Sequence, residues 1–449
     1  MEWVMQPAIR TPDLNEANQR FVTLARVHGN REVLWRALPE LPMIGKMLGI
    51  RDSVRSGLRV VLHVAPDSEV VSAALAVRVG SRSETSAWSG LAHLAEHVAC
   101  GADTPGSRAL AAAGGMCNAV TQPDFTAYHG YVAAGDGALL LDRLMEVLAV
   151  GEVSIERLHN EVSIVADELS AAVDGAVMGG FPWLWLPGSL YSEPEFAHNG
   201  YGDMDSLSRV TPEVLARFFG EHYVADNAVL AVCGPDPETL LDRIPVLRRG
   251  ELSIHSGRLP MVEPGPATVL TAPQQPHRAT ALAWSLPHMA LTAGHLRAAV
   301  LGDVLVNQHG GVLEDALRGA LETAAYVGPF ADPWDVAAPL PFVVEVHHDT
   351  QEDAHEVPSA VLAVLKNWDV EEELVVAATR QMATELKQRL ADPVTLPKLS
   401  VAAQVVHGGV ERLAAVPQQL AAVSPEQVRM AAQQLANEPY RILTRGPHA

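Results

Sequence analysis

Five residues constrain this chain more than any others: His93-Leu94-Ala95-Glu96-His97. On an α-helix, residues four apart lie on nearly the same face, because each residue turns the chain by about 100°. The two imidazoles therefore project together, at a spacing that lets them share one metal ion. Glu96 lies beside them, one residue before the second histidine. Two neutral imidazoles suit Zn²⁺, and a carboxylate next to an open coordination position can take a proton from a bound water. Leu94, Ala95 and Val98 would pack the other faces. The bland alternative is a helix with two unrelated histidines and a chance glutamate.

The surroundings favour a built site. Two β-rich runs, 58–64 and 70–79, precede the motif, and Gly80-Ser81-Arg82-Ser83-Glu84 breaks the second. Ser86 or Ser89 can then cap the motif helix. Behind it the sequence predicts a short helix at 108–113, a strand pair at 114–121 and 126–132, and a helix at 137–149. The next helix, about 154–172, carries an apolar stripe of Ile155, Leu158, Val162, Val165 and Leu169. Glu161 and Glu168 are seven apart and stack on one side of it. Such a pair is what a third metal ligand and its supporting carboxylate would look like. Two solvent-facing glutamates are the ordinary alternative, and Asp167 points further from the stripe than Glu168. Cys100 follows His97 by three and could be a soft fourth ligand, but a small packing residue is the better reading.

Composition narrows the function classes. The formal net charge of −21 argues against nucleic acid as a partner, since phosphate binding needs a basic surface. An acidic cleft could concentrate basic peptides, although a merely soluble acidic protein fits equally well. Three scattered cysteines make no disulfide framework and suit a reducing compartment. No run of 18 apolar residues is present, and residues 1–6 lack the pattern of a signal peptide, so the expectation is a cytoplasmic protein with no membrane span.

The 449 residues suggest two to three domains, and 48% apolar content is ample for large cores. We read residues 1–55 as an N-terminal extension with helical pieces at 17–28 and 33–48. Residues 56–245 form the metal-binding unit, 246–267 a linker rich in Arg, Gly, Ser and Pro, and 268–449 a second unit. The first unit continues with a Pro-, Gly- and Tyr-rich loop at 181–209, a helix at 212–222 capped by Thr211, a strand at 227–233 and a helix at 237–244. The second repeats the texture: strands at 279–285, 342–348 and 441–444, helices at 291–306, 355–367, 370–390, 396–407 and 425–436. It has no second His-x-x-Glu-His. The expected fold class is α+β, two similar α/β units of mainly antiparallel sheet packed with helices.

From about residue 56 onward the chain resembles the pitrilysin–insulysin–mitochondrial processing peptidase family of inverzincins in its short two-domain form, whose signature is His-x-x-Glu-His. The resemblance is carried by that motif, by Val79-Gly80-Ser81-Arg82 before it, and by 115–121 after it. Glu161 and Glu168 add to it, as do Phe219-Gly220-Glu221-His222-Tyr223 ahead of Asn227 and Gly234. It implies a clam-shell metallopeptidase fold and a zinc-dependent endopeptidase acting on short or unfolded peptides, with leader removal as one such role. It implies that His93, His97 and Glu168 bind Zn²⁺, that Glu96 is the general base, and that Glu161 supports the site. Asn118 and Ala119 would lie on the edge strand that accepts the peptide, and Arg318 and Tyr326 would hold the substrate carbonyl. Short members close their chamber by pairing two chains. The expected partner is therefore a second copy or a related subunit, and the alternative role is a non-catalytic or partner-dependent subunit of a heterodimer.

Overall fold

The computed structural model describes residues 51–85, 87–101, 104–172, 180–250, 268–271, 278–286, 291–306, 312–318, 325–329, 340–348, 351–367 and 369–446. The two helical pieces expected at 17–28 and 33–48, and most of the expected linker, lie outside these residues. Residues 48–449 form one compact unit.

Two mixed sheets organise it. The first joins β1 (Arg51–Arg55), β2 (Leu58–Val64), β3 (Val70–Val77), β4 (Met116–Thr121), β5 (Thr126–Ala133) and β6 (Ala228–Gly234) in the order β1-β2-β6-β3-β5-β4. Only β2 and β6 run parallel; the other pairs are antiparallel. The second joins β7 (Thr268–Thr271), β8 (Arg278–Leu286), β9 (Ala325–Pro329), β10 (Leu340–His348) and β11 (Arg441–Gly446) in the order β7-β11-β8-β10-β9, with only β7 and β11 parallel. Two similar, mainly antiparallel α/β units are thus the architecture.

The helices of the first half are α1 (Leu91–Cys100), α2 (Pro105–Ala112), α3 (Gly137–Leu148), α4 (Ile155–Ser170), α5 (Leu186–Leu190), α6 (Met204–Leu207) and α7 (Pro212–His222). The second half adds α8 (Ala293–Val306), α9 (Val312–Arg318), α10 (Gln351–Asn367), α11 (Glu372–Ala391), α12 (Leu396–Val406), α13 (Val410–Ala421) and α14 (Pro425–Leu435). Three expectations need correcting. Residues 237–243 form a 3₁₀ rather than an α-helix. The 181–209 loop contains α5 and α6. Helix α13 was hidden in the sequence by Gly408-Gly409 before it and Pro417 inside it.

Side chains alternate across a strand, and here both faces are buried. In β3, Val71, Ala73, Leu75 and Val77 enter the main core with Leu94, Val98, Leu141, Leu158 and Val165. Ala74 and Ala76 face the other way, onto Val401 and Ala402 of α12. That double burial is why the strand reads as an apolar run broken only by Ser72, whose hydroxyl donates to the Pro393 carbonyl. The cover is reciprocal: Phe181, Leu186, Leu190 and Tyr191 of the first half pack against Ala279, Ala281, Ala283, Val343 and Leu443 of the second sheet. Each sheet therefore borrows one of its layers from the other half of the chain.

Candidate metal centre and active site

Helix α1 carries the motif, and polar side chains satisfy orphan backbone groups at both of its ends. The Glu84 carboxylate accepts the amide N–H of Gly90 at 2.8 Å and of Ala92 at 2.7 Å. At the other end the Arg143 guanidinium donates to the Ala99 carbonyl at 2.9 Å, and Arg157 donates to that of Val98. The cap expected from Ser86 or Ser89 is thus replaced: Gly90 stands at the N-cap with no side-chain cap of its own, and Glu84 reaches in from the preceding turn. A buried carboxylate satisfies two orphan amides at once, which one serine hydroxyl cannot. Burial pushes the Glu84 carboxyl up to about 8, and the two amide donors oppose that rise. His198 Nδ1 lies 3.5 Å from Glu84 Oε2.

Gly90 sits at φ 89°, where a Cβ would come within 2.7 Å of the Gly202 Cα and 2.8 Å of the Tyr201 carbonyl oxygen. The missing side chain lets the 199–203 segment lie directly on the helix start. Tyr201 then meets the His93 ring edge-on, with centroids 5.6 Å apart.

The structure brings together the Nε2 atoms of His93 and His97 at 3.2 Å. Glu168 Oε2 lies 3.5 Å from the first and 3.4 Å from the second. Two imidazole nitrogens and a carboxylate oxygen this close make little sense as a hydrogen-bonded set, because one point attracts all three. A tetrahedral zinc ion with bonds of about 2.0–2.1 Å needs ligand atoms about 3.3–3.4 Å apart. The triangle and the N,N,O donor set therefore fit zinc, and among the described residues this trio alone could hold a metal ion. Cys100 stands outside it as a free thiol, and burial pushes its pKa up. Burial, aided by the neighbouring His97, also pushes the His93 imidazole down to about 4, so it is neutral and a competent donor at pH 7.

Glu161 Oε2 lies 3.8 Å from His97 Nδ1, on the side of the ring away from Glu168. At that distance it orients the ring by charge rather than through a formed hydrogen bond. Glu161 is well covered and Glu168 is half exposed. The face of α4 that looked merely polar in sequence is thus split by its packing against α1.

Glu96 is buried, 9% exposed, and burial raises its pKa. Its Oε2 accepts the Thr121 hydroxyl at 2.6 Å. Asn118 and Ala119 lie on β4, the terminal strand of the first sheet, which among the described residues pairs on one side only, with β5. The unpaired side of such a strand can accept another strand. Arg318 ends α9, and Tyr326 lies in β9 opposite Glu345. Their side chains lie outside the described residues, so only their backbone positions are given. Glu84, Thr121, Arg143, Arg157 and Tyr201 carried no motif in the sequence; the one hint was Glu84 in the turn before the helix.

Comparison with known proteins agrees with this construction. Residues 59–177 match the model of the family described as Insulinase (Peptidase family M16). An uncharacterised zinc protease of Mycobacterium leprae is 27% identical over 191 residues, covering 41% of this chain and 42% of that protein. The chain spans about two fifths of the length of the curated relatives it matches. The crystal structure of a protease from Helicobacter pylori superposes with a TM-score of 0.77 at 16% identity, covering 89% of this chain and 100% of that one. That of a peptidase M16 inactive domain from Pseudomonas fluorescens does so at 0.74 and 18%, covering 90% and 99%. With the motif and the matched segment in agreement, residues 59–177 of the chain are identified as an insulinase-family (peptidase family M16) segment, set in a fold shared with M16-like structures.

Proposed function

We propose that this protein is a zinc-dependent endopeptidase that hydrolyses short or unfolded peptides. The observation that carries this reading is the triangle of His93, His97 and Glu168 ligand atoms with the buried Glu96 carboxylate on the same helix. Those three residues would hold the zinc ion, with Glu161 supporting His97. A bound zinc ion supplies Lewis acidity, which brings the pKa of a water toward neutrality. Glu96 takes the proton from the attacking water and returns it to the leaving amine. Asn118 and Ala119 hold the peptide extended by strand addition to β4. Arg318 and Tyr326 stabilise the negative charge that develops on the carbonyl oxygen. A substrate held as a strand must be unfolded, which suits a leader-removing role in the cytoplasm. Nucleic acid is not a partner of so acidic a chain. Among the described residues no helix is long and apolar enough to cross a membrane.

A second reading is a partner-dependent or non-catalytic subunit. It is favoured by the likeness of its fold to that of a domain described as inactive. Either way the chamber closes by pairing, with a second copy or with a related subunit.

One experiment separates these. The purified chain is loaded with zinc and incubated with a mixed peptide library, with Glu96→Gln as control. Cleavage by the wild type alone supports a self-sufficient peptidase. One bound zinc without cleavage points to the partner-dependent subunit, and failure to bind zinc sinks both the site and the activity.

A further inference from the structure

The candidate base does not stand alone. Glu96 is held from the sheet side by Thr121, the last residue of β4, whose hydroxyl donates to Oε2 at 2.6 Å. That length is typical of a hydroxyl donating to an ionised carboxylate. The direction is fixed by what lies behind. Thr126, opposite Thr121 in the β4–β5 register, spends its own proton on the Val79 carbonyl at 2.8 Å. The two threonine oxygens are 3.5 Å apart. An ionised carboxylate can only accept. The Thr121 proton therefore goes to Glu96, and Thr126 braces the far side of the hydroxyl. The Thr121 backbone amide adds a second hydrogen bond to the same carboxylate. Nearby, the fully buried Tyr128 and Tyr223 hydroxyls pair with each other at 2.9 Å.

We propose that Thr121 is a positioning residue: its hydroxyl fixes the rotation of the Glu96 carboxylate, and it ties this base to the strand on which the peptide is held. The inference rests on the reading of Glu96 as general base. Its consequence is a mechanical coupling, because the strand that would receive the peptide through Asn118 and Ala119 ends in the residue that aims the base. A peptide that orders β4 orders Glu96 as well.

The test compares zinc-loaded wild type with Thr121→Val, which keeps the shape and loses the hydroxyl, and with Thr121→Ser, which restores the donor. Zinc stoichiometry and thermal midpoint are measured first; Thr121→Ala replaces Thr121→Val should the latter fail to fold. Thr121→Val is expected to lower kcat about 10–100-fold, part of the roughly 10²–10⁴ that a general base contributes, with KM within about twofold. Thr121→Ser is expected to recover most of the loss. The Glu96 carboxylate band, isolated by infrared difference against Glu96→Gln in each background, is expected to shift in Thr121→Val and to return in Thr121→Ser. An unchanged kcat, a serine variant as poor as the valine one, or an unmoved band overturns the proposal. Should the zinc-loaded wild type cleave no peptide, the proposed function falls, and the infrared band alone decides whether Thr121 aims Glu96.

Discussion

At the scale of single residues, the site divides into groups that bear on the metal directly and groups that bear on it through an imidazole. Glu168 touches both histidine Nε2 atoms, so Glu168→Ala leaves two donors where three converged. Zinc per chain is expected to fall from one toward zero after dialysis, as read by atomic absorption; full stoichiometry would remove Glu168 from the ligand set. Glu161 reaches only His97 Nδ1. Glu161→Gln should keep the ion and weaken its affinity by about 10–100-fold, the usual effect of losing such a support. Competition with a zinc chelator measures this, and an unchanged constant would mean that His97 is oriented by packing alone. The sequence made both residues visible, because a seven-residue spacing stacks them on one helix. It could not rank them, since their different burial comes from how α4 lies against α1.

At the scale of the element, the motif helix is positioned more by its ends than by its own propensities. Ten residues are too few to be stable alone. Glu84→Ala would leave the Gly90 and Ala92 amides buried without an acceptor. A loss of about 2–4 kcal/mol in denaturant unfolding is expected for the two buried bonds. Glu84→Gln, which keeps an acceptor, should lose less; equal losses would show that the charge and not the acceptor matters. Gly90→Ala combines a left-handed φ with a contact against the Gly202 backbone that neither segment can relieve. Its expected cost is at least about 1–2 kcal/mol, with weaker zinc binding as Tyr201 is pushed off His93. A wild-type midpoint in that variant would mean that the 199–203 segment does not pack on the helix. None of these clamps announces itself in sequence, because a glutamate, two arginines and a glycine are ordinary residues until the chain brings them to a helix end.

At the scale of the whole molecule, the two halves are joined by polar bonds as well as by apolar layers. His63 of β2 meets Ser400 of α12 at 2.7 Å. Ser400 donates its own proton to the Leu396 carbonyl at 2.7 Å, so His63 Nε2 must be the donor to Ser400. A second proton on Nδ1 would be buried without an acceptor. Burial accordingly pushes His63 down to about 4. The unfolded chain takes up that proton near 6.5, so the neutral histidine's contribution is full above pH 6.5. It is lost progressively as the pH falls from 6.5 to about 4, by up to about 3 kcal/mol. Denaturant midpoints across this range should fall less steeply for His63→Gln than for the wild type. Parallel slopes would mean that the His63–Ser400 contact opens before it titrates.

The sequence by itself determined the local parts. Helical periodicity placed His93, Glu96 and His97 on one face and stacked Glu161 over Glu168, and β-rich runs marked most strands of both sheets, though not those at 51–55, 268–271 and 325–329. These follow from rules that act over a few residues. Helix α13 escaped because its glycines and proline argue locally against a helix that packing against α11 nevertheless maintains. Only the tertiary structure decided that α1 and α4 meet, which brings Glu168 to the two histidines. It also decided that Glu84 rather than a serine caps the motif helix, that Thr121 reaches Glu96, and that each sheet is covered by an element from the other half. The physical reason is one of range: backbone geometry repeats over a few residues and can be read from spacing. Burial and charge pairing depend instead on which distant segments share the same volume.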